Sequence, residues 1–238
     1  EFGTTQEQLA AVAVKNHFHA SLNPNAQFHN ILTVEQVMKS SRIADPLRLL
    51  DCSPISDGAA AIIVTSDKGH VTGKKGIQIM ASTVATDTLG LAQRESLTEL
   101  KATREAAQKA YQQARVKPDD IDVAEVHDCF TIAEILAMED LGFYKKGEAA
   151  AAIAAGETLL SAKRRSGQAH HPVVNPSGGL KGCGHPVGAT GIKQVVELVD
   201  QLRGCAGRRQ VDGAKIGLAH NVGGSGATAV IHILCNHR

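Results

Sequence analysis

The sequence predicts an α/β domain over residues 76–238, and three observations carry that prediction. Short apolar runs of strand length alternate with longer stretches whose apolar residues recur at helical spacing. Two of the helical stretches end at recognisable stops, KPDD at 117–120 and Gly142. At the carboxyl end, apolar runs at 215–219 and 227–234 are joined through HNVGGSG and read as a closing hairpin. Strands that alternate with helices bury their apolar faces by placing the helices against a sheet.

Taken in order, Thr4 followed by Glu7 and by Leu9, Val12, Ala13 and Val14 reads as a capped helix running to about Ala20. SLNPNAQ breaks it, and residues 33–38 suggest a second short helix. DPLRLLDCSPISDG is loop-like, and AAAIIVT at 59–65 has the length of a buried strand. After the turn-forming DKGHVTGKKG the pattern becomes regular. Residues 77–86 read as a strand, 97–116 as a helix, 121–126 as a strand and 131–141 as a helix. An alanine-rich, weakly patterned stretch at 145–171 leads into the glycine-rich VNPSGGLKGCGHPVGATG. A helix follows at 192–202, with Ile192, Val195, Val196, Val199 and Leu202 as one apolar stripe. Residues 1–75 hold two helices and one convincing strand, too little for a sheet of their own. The expected division is a remnant of a preceding domain at 1–75 and the α/β domain at 76–238.

Composition narrows the function. Among 238 residues, 25 Lys and Arg stand against 24 Asp and Glu, and aromatics make up 3%, which gives neither the charge nor the stacking surface that nucleic-acid binding needs. No apolar window approaches the roughly 18 residues of a membrane span, and no secretory leader pattern opens the chain, so the expected location is cytoplasmic, with an organelle left open. The five cysteines form no CxxC pair, and their odd number fits reduced thiols.

Three polar clusters fall where strands end or turn: His127-Asp128-Cys129-Phe130, Cys183-Gly184-His185-Pro186 and His220-Asn221-Val222-Gly223-Gly224. Loops at strand ends converge on ligands in α/β folds, so one shared site is the functional reading, and packed or exposed side chains the bland one. The glycines can serve as turns, and neither GxxxxGK[ST] nor a GxGxxG at a first strand-to-helix turn supports a mononucleotide cradle. Zinc held by His127, Cys129, His185 and His220 is conceivable by residue type, but no pair has ligand spacing. His17, His19, His170 and His171 stand in polar contexts and read as surface residues. Cys183 and His185 could meet if extended, but Gly182 and Gly184 argue against a regular strand there.

These residues resemble a family. NPSGGLKGCGHPVGATG is similar to the glycine-histidine-proline motif of thiolases, HDCF to the motif of their sterol-carrier-protein-2 type, and LAHNVGGSGATAV to their closing hairpin. DCSPISDGAAAIIV resembles the last strand of the family's amino-terminal domain and the loop before it. The resemblance implies a layered αβαβα fold in the complete protein, of which this chain would be the βαβαβαββ-type carboxyl-terminal half with a remnant of the other. It implies a dimer or tetramer, acyl-CoA and CoA as substrates, no bound cofactor and no metal.

The implied reaction is Claisen condensation or its reverse, which needs a thiolate nucleophile, a second acid/base group and two oxyanion holes. By the resemblance, His185 is the base and a donor to the first hole, His127 helps hold that oxygen, and Cys129 is the acid/base thiol. His220 replaces a late cysteine, Gly223 or Gly224 offers a backbone N–H, Ser53 meets the pantetheine arm and Asn175 belongs to the substrate-binding set. Nothing in the chain matches the family's nucleophilic cysteine, so the chain is expected to form no acyl-enzyme alone. Two alternatives are a retro-aldolase acting on a steroid or branched CoA thioester, and a non-catalytic half-fold that pairs with a separate chain.

Overall fold

The computed structural model describes residues 1–66, 76–161 and 171–236. Helix α1 (Gln6–Ser21) starts one residue later than predicted because Thr5 and Gln8, rather than Thr4 and Glu7, form the reciprocal cap. Thr33 caps α2 (Val34–Lys39) in the same way with Gln36. The stretch read as loop contains a small hairpin, β1 (Arg42–Ala44) with β2 (Leu47–Arg48), and a single 3₁₀ turn at Leu49–Asp51.

The expected strand at 59–65 does not form. Among the described residues no strand pairs with this run, and Ile63 and Val64 are exposed. The composition is right for a strand, but backbone groups need a neighbouring edge to pair with. The turn that follows at 67–75, and the 75/76 division, fall at residues outside those described.

From Ile77 the predicted order holds. β3 (Ile77–Thr86) leads to α3 (Lys101–Ala114), β4 (Val123–Glu125), α4 (Thr131–Asp140), α5 (Ala149–Ala154) and β5 (Val173–Val174). Then come α6 (Gly179–Cys183), α7 (Thr190–Arg203), β6 (Ile216–Gly223) and β7 (Thr228–Asn236). Two helices and a strand thus sit in stretches read as unpatterned or as loop, α5 in the alanine-rich segment, α6 in the glycine run and β5 where that run begins. β6 also continues through His220 to Gly223, which the sequence assigned to the turn, because the register with β7 runs unbroken from Ile216–Cys235 to Gly223–Thr228.

The five strands lie in the order β3-β7-β6-β4-β5, with β3, β7 and β6 pairing antiparallel and β6, β4 and β5 parallel. One face is covered by α1, α3, α4 and α5, where Val12, Ala106, Ile135, Leu218 and Ile231 share a core. The alanines of α3 favour the helix and let it approach β3 and β7 closely. On the other face Val195, Leu198 and Leu202 of α7 meet Val123, Ala219 and Leu234. Because Leu9 and Val12 belong to the first core, α1 packs as part of the α/β unit. The ends of β4, β5 and β6 and the start of α7 come together at one end of the sheet, and the three polar clusters extend from there.

Candidate active site

A buried polar layer sets the two loops that carry the HDCF and GHP motifs. Asn175 follows β5 in the left-handed region, φ 54°, and bridges them. Its amide oxygen accepts from Val126 N at 2.8 Å, its amide nitrogen donates to Glu134 at 2.8 Å, and its backbone N–H donates to Ala124 at 2.8 Å. Asp128 accepts from the backbone N–H groups of Leu180 (2.6 Å) and Lys181 (3.2 Å) and from Asn16 Nδ2 (2.7 Å). Those bonds satisfy the first turn of α6, which explains a helix inside a glycine run. Burial, and then Glu134, pushes the Asp128 carboxyl up to about 6.

Close packing requires glycine here. A Cβ on Gly179 would collide with the Asp128 carboxylate, and one on Gly182 would lie 2.6 Å from Ala20 Cβ in α1. From α1 also come Lys15, paired with Glu134 at 2.9 Å, and His19. His17 and His19 are buried, not on the surface as the sequence suggested. His19 Nδ1 donates to the Asn175 carbonyl (2.9 Å) and its Nε2 accepts from Leu160 N (3.0 Å), so the ring is neutral with both nitrogens engaged. Burial, and then Lys15, takes its pKa down to about 3. His17 Nδ1 bonds the Asn30 carbonyl at 3.2 Å, and its ring stacks on Phe28. His170 lies outside the described residues, and His171, half-buried, stacks on Tyr144.

Above this layer, residues 52–56 form a strap that ties the two loops together. Cys52 pairs with Phe130, and Ser53 N donates to the Cys129 carbonyl at 2.9 Å. Ile55 pairs with His185, whose backbone N–H donates to Ser56 Oγ at 3.0 Å. The buried Lys181 ammonium holds the Cys52 carbonyl at 2.6 Å. Ser53 is thereby placed beside Cys129.

The strap and the polar layer bring His127 and His185 together, their rings edge to face with centroids 5.2 Å apart. His185 is half-exposed, and its Nδ1 lies 2.7 Å from Thr190 Oγ1. Burial, and then the Lys193 ammonium, lowers its pKa. His127 is buried with its Nδ1 unpartnered, and burial, His185 and Lys193 bring its pKa down to about 4. Burial, and then Asp128, pushes the Cys129 thiol up to about 11. At neutral pH this end of the sheet therefore carries two neutral imidazoles and a protonated thiol, groups able to give or take a proton without first losing a charge.

The other predicted residues take different positions. His220 is fully buried on β6, its Nε2 2.9 Å from Thr103 Oγ1 of α3 and its Nδ1 unpartnered. Burial, and then His127, holds its pKa down to about 3. Gly223 and Gly224 are exposed at the tip of the β6–β7 hairpin, which Arg94 anchors through the Ser225 carbonyl at 2.8 Å. Asn175 spends its amide inside the protein and lies beneath the site. Cys183 ends α6, with Asn23 Nδ2 3.6 Å from its sulfur, and burial raises its thiol. Among the described residues no group of three or more His, Cys, Asp or Glu is placed to hold a metal ion, and no helix is long and apolar enough to cross a membrane.

Thr190 and Lys193 escaped the sequence reading. Both types are ordinary on a helix surface, and what set these two apart was their position just after GHP.

The family profile described as "Thiolase C-terminal domain-like" matches residues 83–236. The chain is 54% identical to an acetyl-CoA acetyltransferase of Methanothermobacter thermautotrophicus over 98% of its length and 59% of that protein's. It is 40% identical to sterol carrier protein 2 of Rattus norvegicus over 96% of its length and 42% of that protein's. The chain thus spans less than two thirds of these curated relatives. Among solved structures it superposes on the chain described as "Ltp2-ChsH2(DUF35) aldolase" with a TM-score of 0.81 at 24% identity, covering all of this chain and 60% of that one, a likeness of fold.

Proposed function

Because the chain belongs to the thiolase family, we propose that it supplies the acid/base part of an acyl-CoA C-acyltransferase site, which condenses two acyl-CoA units or cleaves a 3-ketoacyl-CoA. The observation that carries this reading is the neutral His127–His185 pair, strapped to Cys129 at the end of the sheet.

In the cleavage direction His185 takes the proton of a nucleophilic thiol, and the thiolate attacks the keto carbon. The bond between Cα and that carbon breaks, its electron pair goes to Cα, and Cys129 supplies the proton that makes the shorter acyl-CoA. The CoA thiol then gives its proton to the Cys129 thiolate and attacks the acyl-enzyme, releasing the second acyl-CoA and the nucleophile's thiolate, which takes its proton back from His185. His127 and the Gly223–Gly224 backbone face the two thioester oxygens, and Ser53 the pantetheine arm. His220 supports His127 from below.

The nucleophile comes from outside these 238 residues, on a further segment or a partner chain. Burial raises the thiols of Cys52, Cys129, Cys183 and Cys235, the direction opposite to activation. In thiolysis of acetoacetyl-CoA, the chain alone is expected to give no turnover. A chimera in which it replaces the matching region of the Methanothermobacter relative is expected to be active, and to lose at least about 100-fold in kcat with His185→Gln. Turnover by the chain alone, or an unimpaired His185→Gln chimera, overturns the proposal.

The same protonated thiols favour one second reading, retro-aldol cleavage of a steroid or branched CoA thioester, which needs acid/base groups but no acylated cysteine. A stable acyl-cysteine found by mass spectrometry after exposure of the complete protein to acetyl-CoA favours the transferase. Cleavage of an aldol thioester without any adduct favours the aldolase.

A further inference from the structure

Thr190 opens α7 five residues after His185 and is completely buried. Its Oγ1 lies 2.7 Å from His185 Nδ1 and 3.0 Å from the Pro186 carbonyl oxygen. A hydroxyl has one proton and a carbonyl can only accept, so the bond to Pro186 consumes that proton. This is the back-bond to the i−4 carbonyl that threonines commonly make at helical turns. What Oγ1 then offers His185 is a lone pair, which requires the ring proton to sit on Nδ1. The free lone pair is left on Nε2, although an isolated neutral histidine side chain prefers its proton there.

Two further observations confine the ring. Its backbone is pinned by Ile55 and by Ser56 Oγ, and one face meets the edge-to-face contact with His127. One turn along α7, the Lys193 ammonium donates to the Gly184 carbonyl at 3.0 Å, placing a positive charge on the same side of the loop. His19 shows the same Nδ1–H form in a ring whose Nε2 is also occupied, by Leu160 N. His185 differs because Thr190 engages one nitrogen and the half-exposed ring keeps the other for chemistry.

We propose that Thr190 is a positioning residue that fixes His185 as the Nδ1–H tautomer and so makes Nε2 its basic atom. The claim rests on the reading of His185 as the general base, but its test does not use activity. The full chain is labelled with ¹⁵N, and histidine side-chain nitrogens are recorded by long-range ¹⁵N–¹H NMR above the imidazole titration, with His185 assigned through His185→Gln. The unsubstituted protein and Thr190→Ser are expected to show a pyrrole-type Nδ1 and a pyridine-type Nε2 at His185. In Thr190→Val the His185 signals are expected to move toward the Nε2–H form, while His19 keeps its pattern.

An Nε2–H form in the unsubstituted protein overturns the proposal, and so does a tautomer unchanged in a folded Thr190→Val. If the valine variant fails to fold, the unsubstituted protein and Thr190→Ser still decide. The predicted tautomer in a protein whose His185→Gln chimera stays active would leave this claim standing and remove the proposed function. The reverse pair of results would do the opposite.

Discussion

His220 carries a pH dependence that a single substitution can expose. Its folded pKa lies at about 3 against an ordinary 6.5, because burial, and then His127, opposes its charge. As pH falls from 6.5 toward 3, the unfolded chain takes a proton at this position that the fold refuses. The neutral ring's contribution is therefore complete above 6.5 and declines by about 1.4 kcal/mol per pH unit below it. His220→Gln lacks that decline, so the stability gap between the two proteins in urea unfolding is expected to narrow by about that slope between pH 6 and pH 4. A gap independent of pH would refute the assignment. The sequence could nominate His127, Cys129, His185 and His220 because unusual residues stood at strand ends. It could not place His17 and His19, because what buries a histidine is a partner far along the chain, and the partners of His19 are Asn175 and Leu160.

The first turn of α7 carries two of the devices that condition His185, a hydroxyl at 190 and an ammonium at 193. Removing the ammonium in Lys193→Gln is expected to raise the His185 titration point in ¹H–¹⁵N NMR. The rise is partial, since burial, the larger cause of the depression, remains. An unmoved titration would show that the lysine only braces Gly184. Helix α7 was legible because its buried positions Gln194, Val195, Leu198, Gln201 and Leu202 recur at helical spacing. Helix α6 was not, since its first turn is satisfied by Asp128, about fifty residues earlier, while its own residues suggest turns. The run at 59–65 failed in the opposite sense, with the right composition but no pairing edge among the described residues.

Taken whole, the fold depends on α1 as firmly as on the sheet. Lys15 and Glu134 form an ion pair with side chains almost fully buried, and Asn16 extends it to Asp128. Removing one member of such a pair leaves an uncompensated buried charge, at a typical cost of about 3–5 kcal/mol. Lys15→Met is expected to lower stability by roughly that amount in urea unfolding followed by circular dichroism. The loss should appear in one shared transition, since α1 and the sheet have a common core. A separate early melting of α1 would count against that unity. The order of strands and helices was readable from Ile77 onward, but this docking was not, because it joins residues more than a hundred positions apart. The strap at 52–56 has a last consequence. It acts as a caliper between the HDCF and GHP loops, fixing their separation by the length of one continuous backbone. The apolar side chains with which α3 and α7 pack on the sheet can therefore drift in size over evolution while the two loop backbones keep their spacing.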